Sequence, residues 1–158
     1  MPFAKHIGLI CILFFALSEV SAASTVSLTR SETNLLSAIN SARAAYGLRP
    51  LLTDAKLGRA ARAHSLDELR HGYFDHGPWA ARVLSFGARG PYLGENLAWG
   101  KGAAGSPASV VRMWLASPEH RANLLNPGFT RVGLAMPRGS FQGYGEVLMV
   151  TADFSGTP

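Results

Sequence analysis

The chain has 158 residues, of which 47% are hydrophobic and 16% are charged. This composition excludes a disordered chain, and the length suffices for one domain with its own core but not for two ordinary domains. The formal net charge of +5 favours anionic partners such as lipid headgroups or envelope polymers. The arginines are scattered, with neither a dense basic run nor a ladder of aromatic residues, so specific nucleic-acid binding is not expected.

Residues 1–22 have the pattern of a secretory signal peptide. Lys5 precedes an almost wholly apolar run over residues 7–17, and Val20 and Ala22 lie where a signal peptidase accepts small residues. The run is about half of the roughly 20 residues that a membrane-spanning helix needs. We therefore expect cleavage and a mature protein without a transmembrane anchor, secreted or periplasmic.

The position of the cysteine determines whether a disulfide can stabilise the mature domain. The chain has one cysteine, Cys11, and it lies inside the apolar run of the predicted signal peptide. The mature chain therefore contains no disulfide, and its stability must come from its core. We expect the mature protein to be a monomer.

Five helices are predicted after a lead-in segment, residues 23–30. A capping box, Thr29 with Glu32 three residues later, begins the first helix, and Gly47 ends it. Two later helices begin at Ser-Pro pairs, which combine an N-cap with a proline in the first turn. After the first helix, the predicted helices run from Thr53 or Asp54 to about Arg70, from Pro78 to Phe86, from Ser106-Pro107 to Ser117-Pro118, and from there to Leu125.

The end of the chain predicts two strands. Arg131–Met136 and Val147–Phe154 are separated by a turn at Pro137–Ser140, so the second strand returns antiparallel to the first. Glycine and proline predict a loop over residues 87–93, followed by a turn at Gly94. Helices that precede paired strands indicate a layered α+β domain over residues 31–156.

Short motifs follow one another in a fixed order through the predicted mature chain. In order they are Asn40-x-x-Arg43, Ala63-His64-Ser65, Phe74-x-His76, Gly94-Glu95-Asn96, Trp114-x-x-Ser117-Pro118-x-His120-Arg121-x-Asn123, and Gly133. Each motif alone is weak, but the series resembles the CAP family of cysteine-rich secretory, antigen 5 and pathogenesis-related 1 proteins. Within that family, it looks like the bacterial, disulfide-free SCP-domain branch. This resemblance implies a three-layer α-β-α sandwich with a small antiparallel sheet, and an open cleft.

The resemblance implies a cleft with two histidines and two acids, and the matching positions here are His76, Glu95 and His120. The family's second acid commonly lies three residues after the helix tryptophan, where this chain has Ser117. Glu119 is the nearest acid along the chain, so Glu95 and Glu119 are the candidate catalytic residues. Ser117 in place of an acid puts acid–base catalysis in doubt more than metal binding.

The residues alone support a metal site less specifically. Two neutral imidazoles, such as those of His76 and His120, can hold Zn²⁺ or another divalent cation and leave positions open for water. A nearby carboxylate could orient or deprotonate that water. The alternative is that both histidines are hydrogen-bonded structural residues.

Two further alternatives concern single elements. His64, Glu68 and His71 lie at i, i+4 and i+7 of the second helix and could form a metal site, although a buried, hydrogen-bonded His64 beside the core is the simpler interpretation. Glu95 could instead hold the loop after Gly94 by accepting backbone N–H bonds. Trp114 lies on the apolar face of its helix and is predicted to anchor the core.

Three functional hypotheses remain open from the sequence. The first is a secreted binding module for a lipid, a sterol or an envelope component, and the second is a metal-assisted hydrolase, either a protease or a nuclease, in the same cleft. The third is a structural or interaction protein of the cell envelope. The chain has no G-x-S-x-G, H-E-x-x-H or P-loop motif. Ser117 at the position of the second acid favours binding.

Overall fold

Residues 27–156 are described by a computed structural model, and the predicted signal peptide and the first half of the lead-in segment, residues 23–26, lie outside the described residues. The helices are α1 (Arg30–Ala45), α2 (Ala55–His71), α3 (Trp79–Ser85), α4 (Pro107–Ala116) and α5 (Pro118–Leu124). The strands are β1 (Leu52–Thr53), β2 (Leu93–Gly100), β3 (Arg131–Ala135), β4 (Arg138–Ser140) and β5 (Glu146–Ser155). Between residues 27 and 156, no helix has the length and hydrophobicity to cross a membrane.

Local hydrogen bonds explain where the helices begin. The predicted capping box of α1 is confirmed, because Thr29 N donates to Glu32 Oε2 at 2.8 Å and Glu32 N donates to Thr29 Oγ1 at 3.3 Å. Asp54 Oδ1 accepts the backbone N–H groups of Lys56 and Leu57 and so caps α2. All five predicted helices are confirmed, with ends that differ by a few residues.

The sheet has the strand order β1-β3-β5-β2. The remaining strand, β4, pairs with the first residues of β5, whereas β3 pairs with its last residues. The short β1 is parallel to β3, and all other pairs are antiparallel, including the predicted pair of β3 and β5. The predicted loop is confirmed over residues 87–92, whereas the predicted turn at Gly94 is wrong, since Leu93–Gly100 is a strand that pairs with β5 along its whole length. The predicted turn at Pro137–Ser140 is also wrong in part, because Arg138–Ser140 forms β4.

The helices cover the sheet on both faces and form the predicted three-layer α-β-α sandwich. One outer layer contains α1, α4 and α5, and the other contains α2 and α3. The first layer encloses the main apolar core, which is centred on the fully buried Trp114. Trp114 also donates its indole N–H to the carbonyl of Leu97 at 2.9 Å, so its prediction as a core anchor is confirmed.

The second outer layer approaches the sheet more closely. At Gly133 on β3, an added Cβ would lie 2.0 Å from the carbonyl carbon of Leu57 and 2.1 Å from the nitrogen of Gly58, both on α2. Only a residue without a side chain allows this contact between two backbones. The requirement explains the glycine that follows the ordered motifs in the sequence.

The motif Asn40-x-x-Arg43 has a structural role at the other end of the sandwich. Asn40 exchanges two hydrogen bonds with the backbone of Leu51, at 2.8 and 3.1 Å. Arg43 is fully buried and donates to four backbone carbonyl groups, those of Arg49, Leu124, Asn126 and Phe129. These bonds hold the segment after α5 against α1, which fixes the position of α5 beside the sheet.

Candidate functional site

A cleft of about 420 Å³ opens beside β2, which is the edge strand of the sheet. Successive side chains of a strand point to opposite faces, so Glu95 meets α3 and Asn96 meets α5. The cleft therefore collects side chains from both outer layers. Its lining residues come from the loop before α3, from Trp79, from β2 and from α5: Asp75, His76, Gly77, Trp79, Leu93, Gly94, Glu95, Asn96, Glu119, His120 and Asn123.

Glu95 lies at the centre of one half of the cleft. Its buried carboxylate accepts a hydrogen bond from His76 Nδ1 at 2.7 Å through Oε1, and Arg82 pairs with Oε2. A second Arg82 nitrogen donates to the backbone carbonyl of His76 at 3.3 Å. Arg82 thus holds both members of the pair, while about half of the His76 side chain remains exposed. The alternative in which Glu95 accepts backbone N–H groups is wrong, because its donors are side chains.

His120 lies in the other half of the cleft. Its Nδ1 atom is 2.8 Å from Ser117 Oγ, in the residue that joins α4 to α5. Asn96 donates to the backbone carbonyl of His120 at 2.9 Å, which ties α5 to β2. Burial lowers the pKa of His120, and the neighbouring His76 lowers it further, whereas Glu119 opposes the shift. These effects favour the neutral imidazole of His120.

The structure brings four of the five candidate site residues into the cleft lining: His76, Glu95, Glu119 and His120. Ser117 stands behind the lining and orients the ring of His120. At the position of the family's second acid, the chain therefore has a hydroxyl that holds an imidazole. The functional roles of these five residues stay predictions.

The alternative metal site on α2 does not form. His64 and Glu68 are buried between α2 and the sheet, with His64 Nε2 3.6 Å from Glu68 Oε1. His71 is the last residue of α2, and its side chain is 58% exposed. Its Nδ1 atom lies 3.0 Å from Asp67 Oδ1. Within residues 27–156, no group of three or more His, Cys, Asp or Glu side chains could hold a metal ion.

The two cleft histidines each have one ring nitrogen that is held by a side chain and one that is not. Each Nδ1 atom has a partner, Glu95 for His76 and Ser117 for His120, so the Nε2 atoms are the ones left to bind a ligand. A carboxylate behind a metal-binding histidine is a common arrangement, because it sets the tautomer and the ring orientation. Both Glu95 oxygens already have partners, so the remaining positions around an ion would fall to solvent or to a bound ligand.

Sequence reasoning missed three residues that shape the cleft. Arg82 holds Glu95, Trp79 contributes the aromatic part of the lining, and Asp75 adds a carboxylate at the rim. Asp75 Oδ1 also accepts the backbone N–H of Gly77 at 2.6 Å and so shapes the loop that carries His76. The sequence places all three residues in or just before the short helix that follows His76. Their spacing there does not indicate that they share a site with Glu95.

The sandwich and its two-histidine cleft agree with the class that the ordered motifs indicated. Residues 36–154 match the family model of the Cysteine-rich secretory protein family, CAP. The chain belongs to this family.

Two curated relatives are similar over parts of their length. The chain is 39% identical to the YkwD protein of Bacillus subtilis (strain 168) over 108 residues, which are 65% of this chain and 41% of that protein. It is 37% identical to the pathogenesis-related protein PR-1 of Medicago truncatula over 76 residues, which are 48% of this chain and 37% of that protein. The chain thus spans less than half the length of these relatives.

Solved structures share the fold. An extracellular SCP-domain protein of Bacillus anthracis str. Ames superimposes with a TM-score of 0.66 at 24% identity, over 84% of this chain and 45% of that one. An outer surface protein of Borrelia burgdorferi superimposes with a TM-score of 0.67 at 20% identity, over 84% of this chain and 97% of that one. At these identities the likeness establishes the fold.

Proposed function

We propose that this protein is an exported binding module that takes an extracellular ligand in the cleft of His76, Glu95 and His120. The observation that carries the proposal is the fixed arrangement of the cleft's polar groups. Both imidazoles are held through Nδ1, and Glu95 is held by His76 and Arg82. The cleft volume of about 420 Å³ lies within the range of small-molecule sites.

The engagement of Glu95 favours binding over hydrolysis. A general base needs a carboxylate oxygen within reach of the proton that it removes. Both oxygens of Glu95 are taken by cationic or N–H partners, and the position of the second acid holds Ser117. The alternative function, a metal-assisted hydrolase, is supported by Glu119, which lines the same cleft on α5 and would serve as the base.

A divalent cation such as Zn²⁺ is part of the proposal. His76 and His120 would hold it through Nε2, and Glu95 and Ser117 would orient the two rings. Once bound, the ion would supply a positive centre for a carbonyl or hydroxyl oxygen of the ligand. Two protein ligands make a weak site, so the ion and the ligand would bind more tightly together than apart.

The charges of the cleft limit its ligand. Asp75, Glu95 and Glu119 line it, whereas no lysine or arginine is among its lining residues. An anionic headgroup would meet three carboxylates there, so the cleft suits a neutral or cationic polar group of an envelope component. Trp79 adds an apolar surface on which such a ligand could pack.

A lipid or sterol would bind elsewhere, in a groove of about 430 Å³ on the other face of α5. The groove is lined by Leu115, Ala116, Pro118, Arg121, Ala122 and Leu125. Arg121 is its charged lining residue and donates to the hydroxyl of Tyr46 at 3.2 Å, which places a cation beside an apolar surface. This combination suits an amphiphile with an anionic head.

Export is supported by the signal-peptide pattern of residues 1–22 and by the family. The solved relatives include an extracellular protein and an outer surface protein by their descriptions. N-terminal sequencing of the protein collected from outside the producing cell should begin at Ala23, or at Ser24 if cleavage shifts by one residue. A product that retains Met1 and stays with the membrane would contradict export by cleavage.

Zinc titration by calorimetry tests the cleft. Zinc should bind the wild-type protein, and the His76→Ala, His120→Ala double variant should lose at least about tenfold in affinity, the lower end of the effect of disturbing a metal site. His71→Ala is the matched control, because His71 is an exposed histidine paired with Asp67 at a distance from the cleft. Equal affinity in the wild type and the double variant would rule out the shared site.

Ligand binding separates the cleft from the groove. Phosphatidylglycerol vesicles and purified envelope polysaccharide serve as two probes in a sedimentation assay. The double histidine variant should lose polysaccharide binding, whereas Ala122→Trp, which fills the groove at an exposed position, should lose vesicle binding. If neither variant changes the binding of either probe, the proposed binding sites are wrong.

A further inference from the structure

The layer between the sheet and the helices α2 and α3 contains more carboxyl groups than cations. Glu68 on α2, Glu95 on β2 and Asp153 on β5 all have buried side chains. Arg82 is the guanidinium that pairs with Glu95, and His64 lies beside Glu68. Burial lowers the pKa of His64, which favours its uncharged form.

Asp153 lies directly opposite Glu95 in the ladder of β2 and β5. Side chains of an antiparallel register pair project to the same face of the sheet, about 4.5–5.5 Å apart at Cβ. Both Asp153 oxygens are buried and receive no N–H or O–H group from residues 27–156. An ionised Asp153 would therefore be an unpaired charge next to a second carboxylate, which is a costly arrangement in a protein interior.

A neutral Asp153 removes this conflict. As a carboxylic acid it has one O–H donor, and the acceptor opposite it is the carboxylate of Glu95. Burial raises the pKa of Asp153 well above its usual range, and the charge of Glu95 raises it further, against the opposing effect of Arg82. Two carboxyl groups that share one proton are a known solution to close contact between acids.

We propose that Asp153 is a positioning residue of the cleft, a neutral carboxylic acid that donates a hydrogen bond to Glu95 and fixes the carboxylate oxygen that meets His76. Glu95 then has three partners on three elements: His76 before α3, Arg82 on α3, and Asp153 on β5. Its Oε1 atom accepts the Nδ1–H of His76, so the Nε2 atom of His76 stays free for a ligand. The role in the cleft rests on the proposed function, whereas the contact between the two acids does not.

The first experiment measures the ring tautomer of His76 from its ¹⁵N chemical shifts at one fixed pH. Asp153→Asn keeps a donor toward Glu95 and should leave His76 in its Nδ1–H form. Asp153→Leu removes the donor and should shift the ring toward a mixture of the two tautomers. Thr151→Val is the control on the same face of β5, because it removes the 2.7 Å bond to Ser65 without touching Glu95.

An unchanged tautomer in Asp153→Leu, with the fold intact by circular dichroism, would overturn the proposal. So would an equal tautomer change in Asp153→Asn and Asp153→Leu, since that result would make the negative charge of Asp153 the important property. If the wild-type protein does not bind zinc, the metal site of the proposed function is contradicted. The tautomer result, and with it the contact between the two acids, would still stand.

A second measurement keeps the proposal testable if Asp153→Leu fails to fold. Infrared spectroscopy detects the carbonyl stretch of a protonated carboxylic acid at neutral pH. In a Glu68→Gln background, which removes the other buried acid with a raised pKa, this band should persist. Adding Asp153→Asn should abolish it, and a band that survives the double substitution would show that Asp153 is not the protonated group.

Discussion

The two faces of the sheet differ in chemistry although they share the same strands. On β5, Val150, Ala152 and Phe154 face α1 and α4 and belong to the main core, whereas Thr151 and Asp153 face α2. Both faces are buried, so burial alone does not distinguish them. The apolar face provides stability, and the polar face provides Glu95, which together with Arg82 holds the His76 half of the cleft.

The difference has an energetic basis. Each large apolar side chain on the first face stabilises the fold by about 1.5–3 kcal/mol through its removal from water. On the second face, Glu68 and His64 are buried with side-chain atoms that lack hydrogen-bond partners within residues 27–156. Burying such groups costs free energy, and the burial of the apolar face offsets that cost.

Trp114→Ala should have the largest effect, because it removes the centre of the apolar face. The variant should lose about 3–5 kcal/mol of unfolding free energy, the range for truncating a buried aromatic side chain. It also leaves the carbonyl of Leu97 without its indole donor. Urea denaturation measures the change, with Trp99→Ala as a control at a partly exposed tryptophan. A loss below about 1 kcal/mol would contradict the assignment of Trp114 to the core.

Gly133→Ala should have the next largest destabilising effect, at the contact between α2 and the polar face. The new methyl group would lie 2.0 Å from the backbone of Leu57, which must move. Overpacking of this kind costs about 1–3 kcal/mol. Gly58→Ala is the matched control on the facing helix, because its methyl group meets no atom within 4 Å. Gly58→Ala should stabilise the protein by about 0.5–1 kcal/mol, and an equal loss in both variants would refute the contact argument.

Local signals made the helices and two strands predictable. Capping residues, Ser-Pro pairs and terminal glycines involve residues a few positions apart, and all five helices that they predicted are present, although α3 and α5 begin without a side-chain cap bond. The strand β2 was missed because Gly94, Glu95 and Asn96 interrupt the apolar pattern. That strand is held by its pairing with β5, which lies far along the chain, and long-range pairing overrides local propensity.

The site was predictable only through the ordered motifs. Their resemblance to a family indicated His76, Glu95 and His120, and these residues line one cleft. Arg82 and Asp153 carried no such signal, because each contacts Glu95 from an element that neither spacing nor periodicity connects to it. Composition predicted an anionic partner, yet the cleft itself is lined by acids, since net charge averages over the whole surface.

Glu68→Gln should change how the stability of the polar face depends on pH. Burial raises the pKa of Glu68 to about 8 from the usual 4.5, so the folded protein keeps a proton that the unfolded chain has released. The stability contribution of Glu68 is fully present below about pH 4.5 and is lost as the pH rises to about 8.

The glutamine variant lacks this loss, so it should become more stable relative to wild type as the pH rises across that window. The gain should approach about 1.4 kcal/mol per pH unit. Melting temperatures at several pH values measure it. The lowered pKa of His64 acts in the opposite direction, below its usual 6.5, and contributes to both proteins. Parallel pH profiles for the two proteins would contradict a raised pKa at Glu68.

Reduction should have the smallest effect, none at all, because neither face of the sheet contains a cysteine. Cys11 is the only cysteine of the chain, and it lies within the predicted signal peptide. A protein that begins at Ala23 has no disulfide to constrain its unfolded state, so a reducing agent should leave its melting temperature unchanged. The same measurement on an uncleaved chain is the control, since two copies of Cys11 could pair there. If reduction lowers the melting temperature of the exported protein, that protein still carries Cys11, and the predicted cleavage site is wrong.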